Sequence, residues 1–386
     1  MTAPSQVGSQ RTQASARAGT DLCDLAPDYI RAIAPYLPGK PIAELAREMG
    51  LDAAHIVKLA SNENPLGPGP LALAAIQATL PELARYPDGN GYALKSTLAK
   101  HYAVAAEQIV LGNGSNDVLE LAARALLTPH SSAIYSQHAF AVYPLVVQAM
   151  GARGIEVPAK DFGNDAAALL AAIQADTRMV FIANPNNPTG TLLQPDALHK
   201  LIDRIPRSVL VVLDEAYYEY LPASVAPDSV KWLQQFPHLM ITRTFSKAFA
   251  LAGLRIGFAL AQPALADILN RVRQPFNVNS LAQAAAEAAL SDTQHLQAGV
   301  TLNSLGMRQI CDGLARLKLS VIPSYGNFVS FRLPRAAAVY QSLLHRGVIV
   351  RPIANYGLPD YLRVSIGLEK ENEQFLGALA DAIKEQ

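Results

Sequence analysis

The chain reads as an α/β protein built around a mainly parallel sheet, and three features of the sequence lead to that class. From about residue 95 to 290, apolar runs of strand length alternate with amphipathic helical segments, the pattern of right-handed βαβ units. Polar residues able to do chemistry follow several of those runs, where the carboxyl ends of parallel strands would gather them. After about residue 300 the pattern changes to a long helix followed by separated strands, as in an α+β region. Strands are predicted at 108–112, 132–136, 179–183, 209–213, 239–243 and 256–260, then at 328–332 and 347–350.

In chain order, the first strand runs into Gly112-Asn113-Gly114-Ser115-Asn116, ahead of an apolar-periodic helix from Val118 to Leu127. Glycines at a strand-to-helix turn let backbone N–H groups approach a phosphate, and the helix N-terminus favours its charge. An ordinary βα loop capped by Ser115 or Asn116 fits the same residues. After the strand at 179–183 comes Asn184-Pro185-Asn186-Asn187-Pro188-Thr189-Gly190. This is a tight-turn composition whose Asn-Pro bonds are candidates for cis geometry. Asp214 ends the run 209–213 and Tyr217 follows it. A carboxylate there can pair with a protonated pyridine nitrogen, or simply cap a helix.

The most specific segment follows the strand at 239–243: Thr244-Phe245-Ser246-Lys247-Ala248-Phe249-Ala250-Leu251-Ala252-Gly253-Leu254-Arg255. Lys247 lies among small and apolar residues, where an ammonium is costly to bury, so its pKa should be depressed or its charge partnered. A neutral amine beside an anion-binding Ser246 and Arg255 is what pyridoxal 5′-phosphate (PLP) requires. The amine condenses with the aldehyde, while the serine and arginine hold the phosphate.

Composition limits the remaining classes. The 386 residues are 50% hydrophobic and 17% charged, ample for a core and long enough for two domains. Lys+Arg and Asp+Glu are 32 each. No net field therefore recruits nucleic acid or an anionic membrane. Two cysteines, Cys23 and Cys311, make no disulfide framework and suit a reducing cytoplasm. No apolar run approaches the roughly 18–20 residues of a membrane span. Residues 1–20 are polar and small and read as a disordered tail. The eight histidines show no metal-ligand spacing.

These segments resemble the fold-type-I PLP-dependent aminotransferases, and within their class II group the histidinol-phosphate aminotransferases. The resemblance runs from about Leu22 to the C-terminus. It includes Tyr36-Leu37-Pro38-Gly39-Lys40-Pro41, Leu59-Ala60-Ser61-Asn62-Glu63-Asn64-Pro65-Leu66-Gly67-Pro68, Arg85-Tyr86-Pro87-Asp88-Gly89 and Leu362-Arg363-Val364-Ser365-Ile366-Gly367. It implies a large domain with a mainly parallel seven-stranded sheet sandwiched by helices, and a smaller α+β domain. The boundaries expected are an N-terminal arm with part of the small domain at 21–75, the large PLP-binding domain at 76–300 and the rest of the small domain at 301–386.

For the cofactor, the resemblance implies contacts from Ser115, Asn116, Asn187, Asp214, Tyr217, Ser246, Lys247 and Arg255. Phe140 would stack on the ring, and Tyr86 would reach the phosphate in the neighbouring subunit of a homodimer. The substrate would meet Tyr36, Asn64, Arg351 and Arg363, with the two arginines taking its phosphate. Lys247, Asp214 and Tyr217 would be catalytic. The segment 274–279 would be a loop near the site. Many relatives carry Pro-Thr and then Tyr where this chain has His138-Ala139-Phe140.

Three functions stay open at this point. The first is transamination of histidinol phosphate with 2-oxoglutarate. The second is the same fold acting as an aromatic or prephenate aminotransferase or a threonine-phosphate decarboxylase. The third is a non-enzymatic regulator or scaffold.

Overall fold

A computed structural model describes residues 21–36 and 38–385. The expected tail at 1–20, and Leu37 of the Tyr36–Pro41 motif, lie outside the described residues. The strands are β1 (Val57–Lys58), β2 (Ile109–Gly112), β3 (Ser132–Ser136), β4 (Arg153–Val157), β5 (Thr177–Ala183), β6 (Leu210–Asp214), β7 (Leu239–Thr244), β8 (Gly257–Leu260), β9 (Val321–Ile322), β10 (Phe328–Arg332), β11 (Val348–Ile349), β12 (Arg351–Pro352) and β13 (Tyr361–Ser365). Seven of them form one sheet in the order β2-β8-β7-β6-β5-β3-β4. Only β8 runs antiparallel to its neighbours there.

The sheet is buried on both faces because its strands are apolar on both. Along β5, Val180 and Ile182 join one core while Met179, Phe181 and Ala183 join the other. In β6, Val211 and Leu213 face the first, and Leu210 and Val212 the second. This period-2 alternation with apolar residues at every position requires helices on both sides. Ser115–Leu126 and Pro263–Val272 cover the second face, whereas Tyr92–Tyr102, Pro195–Arg204 and Ser280–Ser291 cover the first.

A separate core gathers Val57 and Leu59 with Ile310, Phe331, Val339, Leu362 and Phe375. It lies under the four-stranded sheet β12-β13-β10-β9, and β1 pairs with β11 beside it. Residues near the N-terminus thus pack with the last third of the chain.

Three differences from the predicted elements have physical causes. β4 was not expected, because as an edge strand it is mostly exposed and carries Arg153, Gly154 and Glu156 in place of an apolar run. β13 was not expected either, since Arg363 interrupts an otherwise apolar pattern. The long helix expected from about 300 begins earlier, at Thr293, where the Asp292 carboxylate accepts from the His295 backbone N–H at 3.2 Å.

One buried ion pair ties β7 to the segment leaving β6. Arg243 donates from Nε at 3.0 Å and from Nη2 at 2.8 Å to Oε2 of Glu215. The guanidinium sits 3.5 Å from the Tyr218 ring centroid, with Tyr102 at 5.1 Å. Burial pushes the Glu215 carboxyl pKa up, and the charge of Arg243 opposes it. Removing one partner leaves an uncompensated buried charge. Arg243→Met should therefore cost about 3–5 kcal/mol in denaturant unfolding, and adding Glu215→Leu should restore part of it. A loss under about 1 kcal/mol, the size of an exposed pair, would refute this view of the pair.

Candidate active site

Five parallel strands deliver their carboxyl ends to one edge of the sheet, and the groups that follow them line a cleft of about 380 Å³. Ser115 and Asn116 open the helix after β2, and Phe140 follows β3. Asn187 lies in the turn after β5, Asp214 ends β6, and Ser246 and Lys247 follow β7. All of these line the cleft, as do Tyr36, Tyr217, Arg255, Arg351 and Arg363.

The amine of Lys247 donates to the Ser61 carbonyl at 3.1 Å and lies 5.9 Å from the Tyr217 ring centroid. Burial lowers its pKa to about 8, and the positive charge of Arg363 adds to the effect. Tyr217 lies beside it. Its hydroxyl accepts from Asn62 Nδ2 at 2.9 Å, and burial pushes its pKa up to about 12. The phenol is therefore a proton donor at neutral pH.

Asp214 is not a helix cap. Its Oδ2 accepts from the Tyr143 hydroxyl at 2.8 Å, while Oδ1 is buried with no hydrogen-bond partner. Burial raises its pKa, and the bond from Tyr143 works against the rise.

At the other end, glycines let Ser115 and Arg255 approach closely. A Cβ on Gly257 would meet the Ser115 nitrogen at 2.5 Å, and one on Gly114 would meet Arg255 Nη2 at 2.4 Å. The helix Ser115–Leu126 has no side-chain cap, so its first N–H groups remain for an anion. Arg255 adds a bond from Nη1 to Ser246 Oγ at 3.4 Å.

These residues fit PLP. The orphaned Asp214 oxygen suits a pyridinium nitrogen. The glycine cradle with Ser246 and Arg255 suits a phosphate, and the depressed Lys247 suits an aldehyde.

The remaining wall is cationic. Arg351 on β12 stands directly opposite Arg363 on β13, and both are buried. Arg363 donates to Asn187 Oδ1 at 2.6 Å and to the Ala60 carbonyl at 2.7 Å, and lies 5.2 Å from the Phe328 ring centroid. Arg351 lies 5.5 Å from the ring centroid of Tyr36. Like charges directly opposite one another across strands repel, so this wall is built to meet an anion.

Three expected contributors do not reach the cleft of their own chain. Asn64 has both ends of its amide committed, to the Ala248 carbonyl at 3.0 Å and the Leu66 N–H at 3.0 Å. Tyr86 is 83% exposed and stacks on Phe276 at 4.8 Å. The segment 274–279 lies with it and does not line the cleft, but it borders it: Asn277 donates to Asp117 at 2.7 Å and Asn279 to the Leu254 carbonyl at 3.3 Å, next to Asn116 and Arg255. Both Asn184-Pro185 and Asn187-Pro188 are cis, as the turn composition suggested.

Four residues escaped the sequence reading. Tyr143 holds Asp214. Ser365 donates to Asn62, and Asn62 in turn donates to Tyr217. Tyr356 lines the cleft. Asn62, Tyr143 and Ser365 sit inside or beside stretches already singled out, and Ser365 lies two residues after Arg363 on the same face of β13. Tyr356 has no such signal.

The family model "Aminotransferase class I and II" matches residues 54–379. The histidinol-phosphate aminotransferase of Methylobacillus flagellatus is 61% identical, over 95% of this chain and 99% of its own length. Histidinol-phosphate aminotransferase 2 of Pseudomonas aeruginosa is 57% identical, over 94% and 99%. Among solved structures, the histidinol-phosphate aminotransferase of Sinorhizobium meliloti, in complex with pyridoxal-5′-phosphate, superposes with a TM-score of 0.85. It shares 27% identity over 97% of this chain and 100% of that one. The chain belongs to the class I and II aminotransferases, and within them to the family of the histidinol-phosphate aminotransferases.

Proposed function

We infer that this chain is a PLP-dependent transaminase. It moves the amino group of L-histidinol phosphate to 2-oxoglutarate, giving imidazole acetol phosphate and glutamate. The observation that carries this reading is the paired wall of Arg351 and Arg363 facing the depressed lysine across one cleft. Histidinol phosphate has no carboxylate, and a guanidinium fork accepts a phosphate as readily as the carboxylate of the second substrate. The relatives favour this reading over an aromatic or prephenate aminotransferase, a threonine-phosphate decarboxylase or a non-enzymatic role.

Bound in the cleft, PLP supplies an electron sink for the pair left when the substrate Cα proton departs. Asp214 Oδ1 would keep the pyridine nitrogen protonated, with Tyr143 fixing the carboxylate from its other side. Tyr217, a phenol that burial keeps protonated, would donate to the ring hydroxyl, and the Asn187 amide N–H₂ would offer a second donor to it. Phe140 would hold the ring, and Ser115, Asn116, Ser246 and Arg255 would hold the phosphate. The Lys247 amine takes the Cα proton and returns it on the other side of the transfer, which a pKa near neutrality suits. Tyr36 stacks under Arg351 at the outer end of the substrate. Asn64 acts on the substrate only through the Ala248 backbone it holds.

We also propose a homodimer in which Tyr86 completes the phosphate site of the other subunit. Leu71, Leu73, Leu80, Leu83, Tyr86 and Tyr92 are all exposed on the segment 71–92, an apolar patch of the kind that marks an interface. The large domain is taken as 76–300, with 21–75 and 301–386 forming the arm and the small domain. This division follows the separate core shared by Val57, Leu59 and the last third of the chain. The thiols of Cys23 and Cys311 are both free, which fits the reducing cytoplasm as the compartment. Among the described residues no helix is long and apolar enough to cross a membrane, and no cluster could hold a metal ion.

Three outcomes test these assignments. Because the free amine of Lys247 titrates near 8, its neutral fraction grows as pH rises through that value. The rate at which cofactor-free protein takes up PLP, followed by absorbance, should rise to a plateau above it, and Lys247→Ala should show neither the absorbance nor turnover. A variant with near-normal turnover sinks the assignment.

Arg351→Ala should raise KM for histidinol phosphate by about 10- to 150-fold, the value of one charge-assisted contact, and disturb glutamate less. Arg363→Ala should damage both half-reactions. An Arg351→Ala enzyme with unchanged KM for histidinol phosphate rules out the phosphate role.

Tyr86→Ala and Lys247→Ala, each inactive alone, should recover part of the activity when reassembled together, since one site per heterodimer is then intact. No recovery in a confirmed heterodimer excludes the shared site.

A further inference from the structure

His138 and Tyr356 lie far apart in the chain and meet at the edge of the cleft. The His138 ring nitrogen Nδ1 is 2.5 Å from the Tyr356 carbonyl oxygen. A carbonyl can only accept, so Nδ1 carries the proton and donates it. The ring lies against Gly357, where a Cβ would sit 3.5 Å from it at φ +74°. The backbone of His138 is itself left-handed, at φ +58°. Its carbonyl accepts from Asn186 Nδ2 at 3.0 Å, beside Asn187. One residue therefore joins three parts of the site: the loop carrying Phe140, the turn carrying Asn187 and the loop carrying Tyr356. The catalytic roles above leave this residue unused.

Tyr356 is buried, lines the cleft and packs with Ile353 and Leu358 against Ala141 and Tyr361. Burial raises its pKa and the charge of Arg363 opposes the rise, so the phenol stays protonated and can donate. Its electrostatic neighbours are Arg363, Tyr36 and Arg351, the groups at the anion-binding wall. Arg363 already gives one N–H each from Nη1 and Nη2 to Asn187 and Ala60. A phosphate dianion has more acceptor sites than the remaining guanidinium hydrogens satisfy in one plane.

We propose that Tyr356 is a specificity-determining residue whose phenol O–H donates to the anionic end of the substrate beside Arg351 and Arg363, and that His138 is the positioning residue that holds Tyr356 there. The proposal rests on reading this cleft as the site for histidinol phosphate. Tyr356 serves the phosphate more than the carboxylate of glutamate, because the larger anion has oxygens left over once both arginines are engaged. The contact from His138 goes to the Tyr356 backbone, so it sets where the ring stands without touching substrate.

The test uses the PLP-loaded enzyme and compares Tyr356→Phe, His138→Ala, His138→Asn and the double variant Tyr356→Phe/His138→Ala. KM and kcat for histidinol phosphate are measured, with inhibition by inorganic phosphate as the second readout. Tyr356→Phe should raise KM and weaken phosphate inhibition by about tenfold, the loss of one hydrogen bond to a charged group, with the larger part of the change in KM. His138→Ala should move both in the same direction. The double variant should be no worse than Tyr356→Phe, since one residue acts through the other. Asparagine tolerates the left-handed backbone and offers an N–H, so His138→Asn should recover part of the loss and guards against a fold defect in His138→Ala.

Unchanged KM and phosphate inhibition in Tyr356→Phe overturn the role of the phenol, and additive losses in the double variant overturn the positioning by His138. Arg363→Ala separates the two levels. If it weakens phosphate inhibition while Tyr356→Phe does not, only this inference fails. If neither variant does, the reading of the cleft fails with it.

Discussion

Arg351 and Arg363 are buried directly opposite each other on adjacent strands, and much of the surrounding structure answers to that constraint. Two guanidinium groups in register repel one another and have lost water. Arg363 is compensated in part by the carbonyl of Ala60, the amide of Asn187 and the face of Phe328. Arg351 lies over Tyr36. The partners of Arg363 are neutral, and both guanidinium groups line the cleft. The charge of Arg363 helps to lower the Lys247 pKa at one end, and the pair draws an anionic substrate at the other. One electrostatic decision thus serves both nucleophile and recognition.

The sheet supplies the frame for that decision. A parallel strand hidden on both faces can present polar groups only at its ends, and here five strands end at the same edge. The network Ser365–Asn62–Tyr217 ties β13 and the segment after β1 to the segment leaving β6. The phenol beside the lysine is therefore oriented by residues from both ends of the chain. The Glu215–Arg243 pair lies next in sequence to Asp214 and to Thr244 at the close of β7, and fixes from below the two segments that bear the carboxylate and the lysine.

Much of this was legible in the sequence, and the limits are physical. Strands β2, β3, β5, β6, β7 and β8 announce themselves because a strand buried on both sides must be apolar throughout. β4 has an exposed edge, and β13 carries its functional arginine mid-strand, so neither has that signature. The cleft residues after β7 could be read because small residues, a buried lysine and an arginine fall within one short segment. The supporting residues were harder. Tyr143 and Ser365 become functional only through the partner the fold brings to them, Asp214 in one case and Asn62 in the other. Tyr356 follows a short loop whose composition resembles any surface turn, and nothing local distinguishes it. The exposed position of Tyr86 against Phe276 likewise has no local signature.

The antiparallel strand β8 divides the site into two halves with very different loop lengths. Because β7 and β8 are adjacent and joined directly, Ser246 and Arg255 are only 9 residues apart when they meet. Arg363 reaches Ala60, and Ser365 reaches Asn62, across 303 residues. Loop-closure entropy grows by about 0.6 kcal/mol per doubling of length, so the second half costs about 3 kcal/mol more to close than the first. During synthesis the phosphate cradle can assemble while the C-terminal third is still missing, whereas the substrate wall must wait for the last strand. A chain stopped before β13 would retain the lysine, its aspartate and the cradle, and would lack the means to choose what is brought to them.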